Sequence, residues 1–169
     1  MKEELYYASD IIAGIRFDIT VSETGLREIL INKKLEPVGL LQRTNTKIKN
    51  SIAEKVFLQL SEYFNRQRKK FDVPLEIFGT DFQKRVWNEL NKIAYGETIN
   101  YGELAKRMGD KNLMRAVAAA NGANPIPIII PCHRVIGADG SLIGYGGGID
   151  VKRKLLELEG SWSLDLFEQ

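Results

Sequence analysis

The segment of residues 100–122 decides the fold of the second half of the chain, and it reads NYGELAKRMGDKNLMRAVAAANG. Asn100-Tyr-Gly-Glu103 has the pattern of a capping box, in which the first and fourth residues satisfy each other's backbone N–H groups at a helix start. This pattern predicts a short helix that stops at Gly109 and a second helix that begins near Asn112 or Leu113 and runs to Gly122. Two short helices joined by a tight, glycine-containing turn indicate a helix-turn-helix, although any compact helical pair gives the same pattern.

The sequence on either side of this segment predicts two more helices and two irregular stretches. Thr80-Asp-Phe-Gln83 is another capping box, and it opens a helix that Gly96 ends and whose apolar positions are Val86, Leu90 and Ile93. The last helix is predicted to start at Asp150 as its cap and to end at Gly160, with apolar positions Val151, Leu155 and Leu158. Between these helices, residues 124–131 (NPIPIIIP) contain too many prolines for a helix, and their three consecutive isoleucines predict an extended segment buried on both sides. Residues 137–148 predict a glycine-rich hairpin or wing.

The first third of the chain reads as strands followed by a helix. Ile11 to Val21 is rich in β-branched and aromatic residues, and a turn signal at Ser22–Gly25 leads into a strand that ends at Ile31. These segments predict an antiparallel meander. Residues 51–66 predict a helix whose apolar face repeats every four residues, at Ile52, Val56, Leu60 and Phe64.

The composition is typical of a globular protein and excludes several other classes. Of the 169 residues, 44% are hydrophobic and 27% are charged, and no charge-free apolar stretch approaches the roughly 18 residues that span a bilayer. The first residues carry acids where a signal peptide carries bases, so we expect a cytoplasmic protein that does not engage a membrane. The formal net charge of +2 falls short of the basic excess of a protein held to DNA mainly by its phosphates.

The chain has one cysteine, Cys132, and one histidine, His133. A single cysteine excludes an intramolecular disulfide, and two soft ligands are too few for a zinc site, so no metal site is predicted. Cys132 is therefore either a buried structural residue or a reactive thiol that a nearby base or positive charge activates. His133 and Arg134 adjoin it, but neighbouring side chains usually diverge and free cysteines are often simply buried. Spacing alone leaves both interpretations open.

The wider motif resembles a known family. Ile130-Pro-Cys-His-Arg-Val-Ile-Gly137 is similar to the active-site signature of the O6-alkylguanine-DNA alkyltransferases. Three more motifs resemble that family in order and spacing: Tyr101-Gly-Glu-Leu-Ala105, Asn124-Pro-Ile-Pro127 and Gly144-Tyr-Gly-Gly147. The resemblance covers residues 80–159 closely and the N-terminal third only in general character. It implies an α+β protein with a ribonuclease-H-like supporting domain (residues 1–75) and a mostly helical, winged helix-turn-helix domain (residues 76–169) that carries the cysteine.

The resemblance also implies a function, which is direct-reversal repair of double-stranded DNA. An alkyl group would leave the O6 atom of guanine and bind irreversibly to Cys132, in a monomer that needs no cofactor. His133 would act as the base through a water, and Glu159 would orient its imidazole. Tyr101 would assist the leaving oxygen and help to turn the nucleotide outward. Because a thioether has no good leaving group and the chain has no second thiol, one transfer per molecule is expected.

Further residues are assigned to the guanine and the DNA by the same resemblance. Val135 and Tyr145 would line the pocket, and Asn124 would be a hinge between the recognition helix and the cysteine. Gly146 stands where many family members carry serine, so only its backbone N–H remains. Arg115 would fill the gap left by the flipped nucleotide, and small side chains would let its helix approach the minor groove, namely Ala116, Ala119 and Ala120. Taken alone, each of these residues has an ordinary alternative as a turn, packing or surface residue.

Two other functions compete with repair. A winged-helix sensor of alkylated bases resembles the family but lacks the reactive cysteine, whereas Cys132 is present here. A cysteine hydrolase would turn over many times, but water does not hydrolyse a methyl thioether in that way. The stoichiometry of transfer distinguishes these functions. Some relatives also hold zinc through N-terminal cysteines and histidines, which this chain lacks.

Overall fold

The computed structural model describes residues 5–33 and 51–163. The chain divides into two compact units, Met1–Phe78 and Gly79–Gln169. The division lies after residue 78, where the sequence suggested 75, because the segment around Glu76 pairs with a strand of the first unit. Leu26 N donates to Pro74 O and Glu76 N donates to Leu26 O, each over 2.9 Å. Among the described residues, no helix is both long enough and apolar enough to cross a membrane.

The first unit contains an antiparallel sheet of three strands in the order β1-β2-β3, with β1 at Tyr6–Ile12, β2 at Ile15–Val21 and β3 at Leu26–Ile31. The predicted meander is confirmed, but the predicted β segment from Ile11 to Val21 is interrupted. Ala13 and Gly14 have φ values of 53° and 77°, the left-handed conformation that a two-residue hairpin turn requires. A single glycine in a β-branched run was too weak a signal to place this turn.

One helix of the first unit, α1 at Ser51–Phe64, packs on this sheet. Its predicted apolar face is rotated, because Ile52 and Phe64 are only half-buried. The buried positions are Ala53, Val56, Gln59, Leu60 and Tyr63. Ala53, Val56, Leu60 and Tyr63 are three, four and three residues apart, as a helix of 3.6 residues per turn demands, whereas a strict four-residue repeat drifts around the helix.

The second unit is mostly helical. Its helices are α2 at Asp81–Leu90, α3 at Tyr101–Arg107, α4 at Met114–Gly122 and α5 at Ile149–Glu159, with short 3-10 helices at Lys111–Leu113 and Cys132–Arg134. Two short strands, β4 at Ile99–Asn100 and β5 at Val135–Ile136, pair in parallel. Helices α3 and α4 pack together across a turn at Gly109, whose φ is 99°. The predicted helix-turn-helix is therefore present.

The helix ends follow the local signals in part. The first capping box is complete, since Thr80 N donates to Gln83 Oε1 over 2.9 Å and Gln83 N donates to Thr80 Oγ1 over 3.2 Å. Helix α2 nevertheless ends at Leu90, well before the predicted Gly96. Asp150 is not the cap of α5, because the N-cap position is Gly148 and no side chain caps it. Gly160 does end α5, with a left-handed φ of 75°.

The first irregular stretch differs from its predicted form. The isoleucine segment is a tight turn instead of an extended strand: Ile130 N donates to Ile126 O over 2.9 Å, and Ile128 has a φ of 75°. Ile126, Ile128 and Ile130 are all buried, so core packing holds an isoleucine in a conformation that it rarely adopts. The glycine-rich segment of residues 137–148 contains no strand. It begins with a turn closed by a hydrogen bond from Gly137 N to Ser141 O of 2.8 Å.

Candidate active site

Cys132 lies at the start of a 3-10 helix with its side chain buried, 6% exposed. Asn124 holds the turn that leads to it, because its Nδ2 donates to Ile130 O over 2.8 Å and its Oδ1 accepts from Ile126 N over 3.0 Å. Burial raises the pKa of the thiol to about 11, against smaller opposing effects of the Asn124 amide and the Lys152 ammonium. The thiol is therefore protonated at neutral pH and needs a base to become a nucleophile.

A histidine follows the cysteine in the sequence and pairs with a buried carboxylate. His133 is completely buried, and its Nε2 lies 3.0 Å from Glu159 Oε1. Burial lowers the pKa of His133, and the hydrogen bond and charge of Glu159 oppose this effect. A neutral imidazole that donates from Nε2 to a carboxylate keeps its Nδ1 lone pair free. In the part of the chain that the structure describes, Nδ1 is buried and has no hydrogen-bond partner.

Arg134 is a component of the site that sequence reasoning missed. Its Nε donates to Glu159 Oε2 over 2.9 Å and its Nη2 donates to Glu159 Oε1 over 2.8 Å. Its Nη1 donates to Ile93 O over 2.6 Å. In the sequence Arg134 is only a basic neighbour of the cysteine, and nothing in the spacing indicates that it pairs with a residue on the last helix.

Lys152 was also missed, and its ammonium group is fully buried on α5. Nζ donates to Val135 O over 2.6 Å and to Ile143 O over 2.9 Å, which ties β5 to the glycine-rich segment. Burial lowers the pKa of Lys152 to about 8. A signal for it exists in the sequence, because Lys152 and Glu159 fall on the same helical stripe as Leu155 and Leu156. Charged residues within an apolar stripe mark buried polar interactions.

Two tyrosines lie near the thiol. Tyr101, the first residue of α3, is half-buried, and its pKa is raised by burial and by the charge of the Cys132 thiolate. Burial, Cys132 and Glu159 raise the pKa of Tyr145, whose hydroxyl is buried without a hydrogen-bond partner among residues 5–33 and 51–163. A Cβ built on Gly144 would lie 3.8 Å from the Tyr101 hydroxyl, and a Cβ built on Gly146 would meet nothing within 4 Å. The space for a serine side chain at Gly146 is therefore open.

The candidate DNA-contacting residues on α4 divide between two faces. Arg115, Ala116 and Ala119 are exposed. Ala120 is instead buried, 3% exposed, and its carbonyl accepts a hydrogen bond of 2.8 Å from Trp87 Nε1. Helical periodicity explains the difference, since Ala120 falls on the inner face with Val117. The interpretation of Ala120 as a DNA-contacting residue does not fit this position.

The fold and the site together define a helix-turn-helix domain with a buried cysteine beside a His–Glu–Arg cluster, and comparison with known proteins identifies the family. Residues 81–161 match the family model "6-O-methylguanine DNA methyltransferase, DNA binding domain", and residues 15–77 match "6-O-methylguanine DNA methyltransferase, ribonuclease-like domain". The chain belongs to the 6-O-methylguanine DNA methyltransferase family. The family suggested by the motif around Cys132 is thus confirmed.

Similar proteins come from bacteria and archaea. A methylated-DNA--protein-cysteine methyltransferase from Mycobacterium tuberculosis is 60% identical over 103 residues, which are 61% of this chain and 62% of that protein. One of the same name from Methanosarcina acetivorans is 58% identical over 103 residues, covering 61% of this chain and 66% of that protein. These alignments thus span less than two thirds of the length of either relative.

Solved structures match over nearly the whole chain. The crystal structure of the Mycobacterium tuberculosis O6-methylguanine methyltransferase has a TM-score of 0.81 and 41% identity, and the match covers 97% of this chain and 99% of that one. A structure of the protein from the same organism in complex with DNA has a TM-score of 0.77 and 40% identity, with coverage of 94% and 93%. The similarity therefore extends over both compact units of this chain.

Proposed function

We propose that this protein repairs alkylated DNA by direct reversal, moving one alkyl group from the O6 atom of guanine to Cys132 Sγ in a single, irreversible transfer. The observation that carries the proposal is the buried thiol beside a histidine whose Nε2 binds Glu159 and whose Nδ1 is free of hydrogen bonds to the described residues. The names of its relatives support the same chemistry, since both curated proteins are methylated-DNA--protein-cysteine methyltransferases.

The first step is removal of the thiol proton. Because the pKa of Cys132 is about 11, His133 Nδ1 accepts this proton through a bridging water as the thiolate forms. The imidazolium that results lies against the Glu159 carboxylate, which stabilises its charge. Sγ then attacks the alkyl carbon in line with the C–O bond. An S–C bond forms, the C–O bond breaks, and its electron pair stays on the guanine O6.

The second requirement is a proton or hydrogen bond for the guanine as it leaves. Tyr101 is suited to donate it, because its raised pKa keeps the hydroxyl protonated until negative charge develops nearby. Tyr145 forms a wall of the pocket, and the fully buried Val135 presents apolar surface to the alkyl group. Asn124 holds the cysteine segment in place, and Gly146 offers its backbone N–H.

Access to the O6 atom requires that the nucleotide leave the duplex. Helix α4 is the proposed recognition helix, with Ala116 and Ala119 against the minor groove and Arg115 in the gap left by the base. We expect weak sequence preference, because minor-groove readout is degenerate. We also expect a shallow dependence of log affinity on log salt, since the net charge is only +2. A slope that corresponds to many neutralised phosphates would contradict this mode of docking.

Intact-mass spectrometry tests the proposal after incubation with excess duplex DNA that carries one O6-methylguanine. The wild-type protein should gain the mass of one methyl group and no more. Cys132→Ser, which preserves the shape of the site, should bind the same duplex and gain no mass. If the wild type binds the lesion without a gain in mass, the alkylated-base sensor is favoured. If it shows no binding and no gain in mass, the proposed substrate is refuted.

The methylated product should also be less stable than the free protein. A methyl group on a thiol that is 6% exposed adds volume to a packed site, at a cost of roughly 1–3 kcal/mol. Thermal melting of protein before and after reaction with the duplex should show a fall of several degrees in Tm. An unchanged Tm would contradict close packing around Sγ.

A further inference from the structure

The carboxylate of Glu159 binds two side chains: Arg134 donates to both of its oxygens, whereas His133 donates to one. Oε1 accepts from His133 Nε2 over 3.0 Å and from Arg134 Nη2 over 2.8 Å. Oε2 accepts from Arg134 Nε over 2.9 Å and from Gly96 N over 3.3 Å. His133, Arg134 and Glu159 are 0%, 7% and 6% exposed, so water competes little for these bonds. The bonds from Arg134 and Gly96 do not involve the histidine and would remain if it were removed.

The guanidinium of Arg134 also contacts the segment that follows α2. Its Nη1 donates to Ile93 O over 2.6 Å, and its guanidinium carbon lies 5.8 Å from the centre of the Tyr95 ring. The Tyr95 hydroxyl in turn donates to Leu158 O over 3.2 Å, next to Glu159. The turn that follows α2 is thereby joined to the end of α5 through the arginine. The position of the carboxylate is set by this framework and does not depend on His133.

We propose that Arg134 is a positioning residue for alkyl transfer: by holding Glu159 ionised and in place, it makes His133 the Nε2–H tautomer and leaves Nδ1 as the proton acceptor. The role in transfer rests on the proposed function, whereas the tautomer does not. A buried carboxylate that faces a histidine alone would favour a carboxylate–imidazolium pair, in which Nδ1 carries a proton and cannot act as a base. The guanidinium neutralises Glu159 and removes that preference.

The charges around His133 define what a titration should show. Glu159 and Lys152 act on it from α5 and Arg134 from its own segment, and Glu159 is the group that favours the imidazolium. Arg134 and Lys152 both oppose it. Loss of the arginine charge should therefore favour protonation of the ring, and substitution by lysine should largely preserve the neutral form.

The experiment is 15N NMR of the protein labelled at histidine, which gives signals from His133 only because the chain has one histidine. Wild-type protein without DNA should show the neutral Nε2–H tautomer at pH 7. Arg134→Gln should raise the midpoint of the ring titration by roughly one pH unit or more, the usual effect of one nearby charge. Arg134→Lys should stay close to wild type. Arg153→Gln, which removes a half-exposed arginine of α5, is the matched control and should leave the titration unchanged.

The rate of methyl transfer from duplex O6-methylguanine should rank the variants as the His133 titration does: Arg134→Lys should stay close to wild type, and Arg134→Gln should differ from it. In Arg134→Gln the rate should fall about tenfold on the acid side and recover above the new midpoint, whereas a purely structural defect lowers the rate equally at every pH. A wild-type Nδ1–H tautomer would overturn the inference without any variant, even if Arg134→Gln does not fold. A folded Arg134→Gln that titrates as wild type would overturn it as well. If wild type shows the expected tautomer but transfers no methyl group, the proposed function fails and the tautomer assignment stands.

Discussion

Replacement of Lys152 by methionine should change how the stability of the protein depends on pH. The Lys152 ammonium is fully buried between two carbonyl oxygens, Val135 O at 2.6 Å and Ile143 O at 2.9 Å. Burial lowers its pKa from 10.5 to about 8. Between these two values the unfolded chain binds more protons than the folded chain. The free energy of unfolding therefore rises with pH in this window, and the destabilising effect of the buried charge is fully present below pH 8.

The size of the effect follows from how far burial lowers the pKa of Lys152. A tenfold change in an acid dissociation constant corresponds to about 1.4 kcal/mol, so the whole window from pH 8 to 10.5 is worth about 3 kcal/mol. About 1 kcal/mol of this falls between pH 7 and 9. Cys132 acts in the opposite sense, because its pKa is raised from 9.0 to about 11 and the folded chain keeps that proton longer. Since the effect of Cys132 grows above pH 9, the comparison belongs at or below that pH.

Urea unfolding at pH 7, 8 and 9 measures the effect, with tryptophan fluorescence as the signal. Trp87 and Trp162 both lie in the second unit, as Lys152 does. The difference in unfolding free energy between wild type and Lys152→Met should change by about 1 kcal/mol from pH 7 to pH 9, with wild type gaining stability relative to the variant. Lys154→Met, at an exposed position of the same helix, should run parallel to wild type. Parallel curves for Lys152→Met would refute the depressed pKa.

Four further substitutions test the fold itself by urea unfolding. Thr80→Ala removes the side-chain cap of the Thr80–Gln83 box and should cost about 1 kcal/mol, and a cost near zero would mean that water replaces the cap. Trp87→Phe should cost roughly 1–3 kcal/mol, because it leaves a buried carbonyl of α4 without its 2.8 Å hydrogen bond. Gly148→Ala should destabilise the protein by about 1 kcal/mol, because the φ of Gly148 is 96°. Gly146→Ala should change stability little, because Gly146 lies in open space and has no left-handed φ. Equal effects of the two substitutions would contradict the argument that the backbone at residue 148 is strained for alanine.

The features predicted correctly from sequence depend on few neighbouring residues. The Thr80–Gln83 box needs only four consecutive residues, and the helix stop at Gly160 needs one glycine with a left-handed φ. The helix-turn-helix was predictable because Asn100 and Gly109 mark its first helix at both ends. The Asn100 side chain does accept from Glu103 N over 2.9 Å. Local chemistry of this kind survives in any tertiary context.

The wrong predictions concern positions where packing overrides the local preference. Ile128 adopts a φ of 75°, which no sequence rule assigns to a β-branched residue. It does so because its neighbours Ile126 and Ile130 are buried on either side of the turn. Asp150 has the right chemistry for a cap, but Gly148 occupies the cap position and Asp150 pairs with Arg153 over 3.1 Å instead.

In the site, too, the residues with a signal in the local sequence were predicted, and those whose roles depend on distant partners were not. Cys132 and His133 are adjacent, and the family resemblance led to Glu159, which the structure places 3.0 Å from His133. Arg134 was missed because its partners Glu159 and Ile93 lie 25 and 41 residues away in sequence. Lys152 lies on the apolar stripe of α5, but that stripe does not reveal that its partners are the carbonyl oxygens of Val135 and Ile143.

Under the proposed function, the solitary thiol records each transfer. With one cysteine in 169 residues, a molecule that has not reacted carries one sulfhydryl group, and a molecule alkylated at Cys132 would carry none. That group is 6% exposed in the native state and becomes accessible to a thiol-reactive dye once the chain is denatured. The fraction of molecules that the dye leaves unlabelled would therefore count the transfers made, and protein purified from cells could be assayed for past alkylation without any DNA substrate being added.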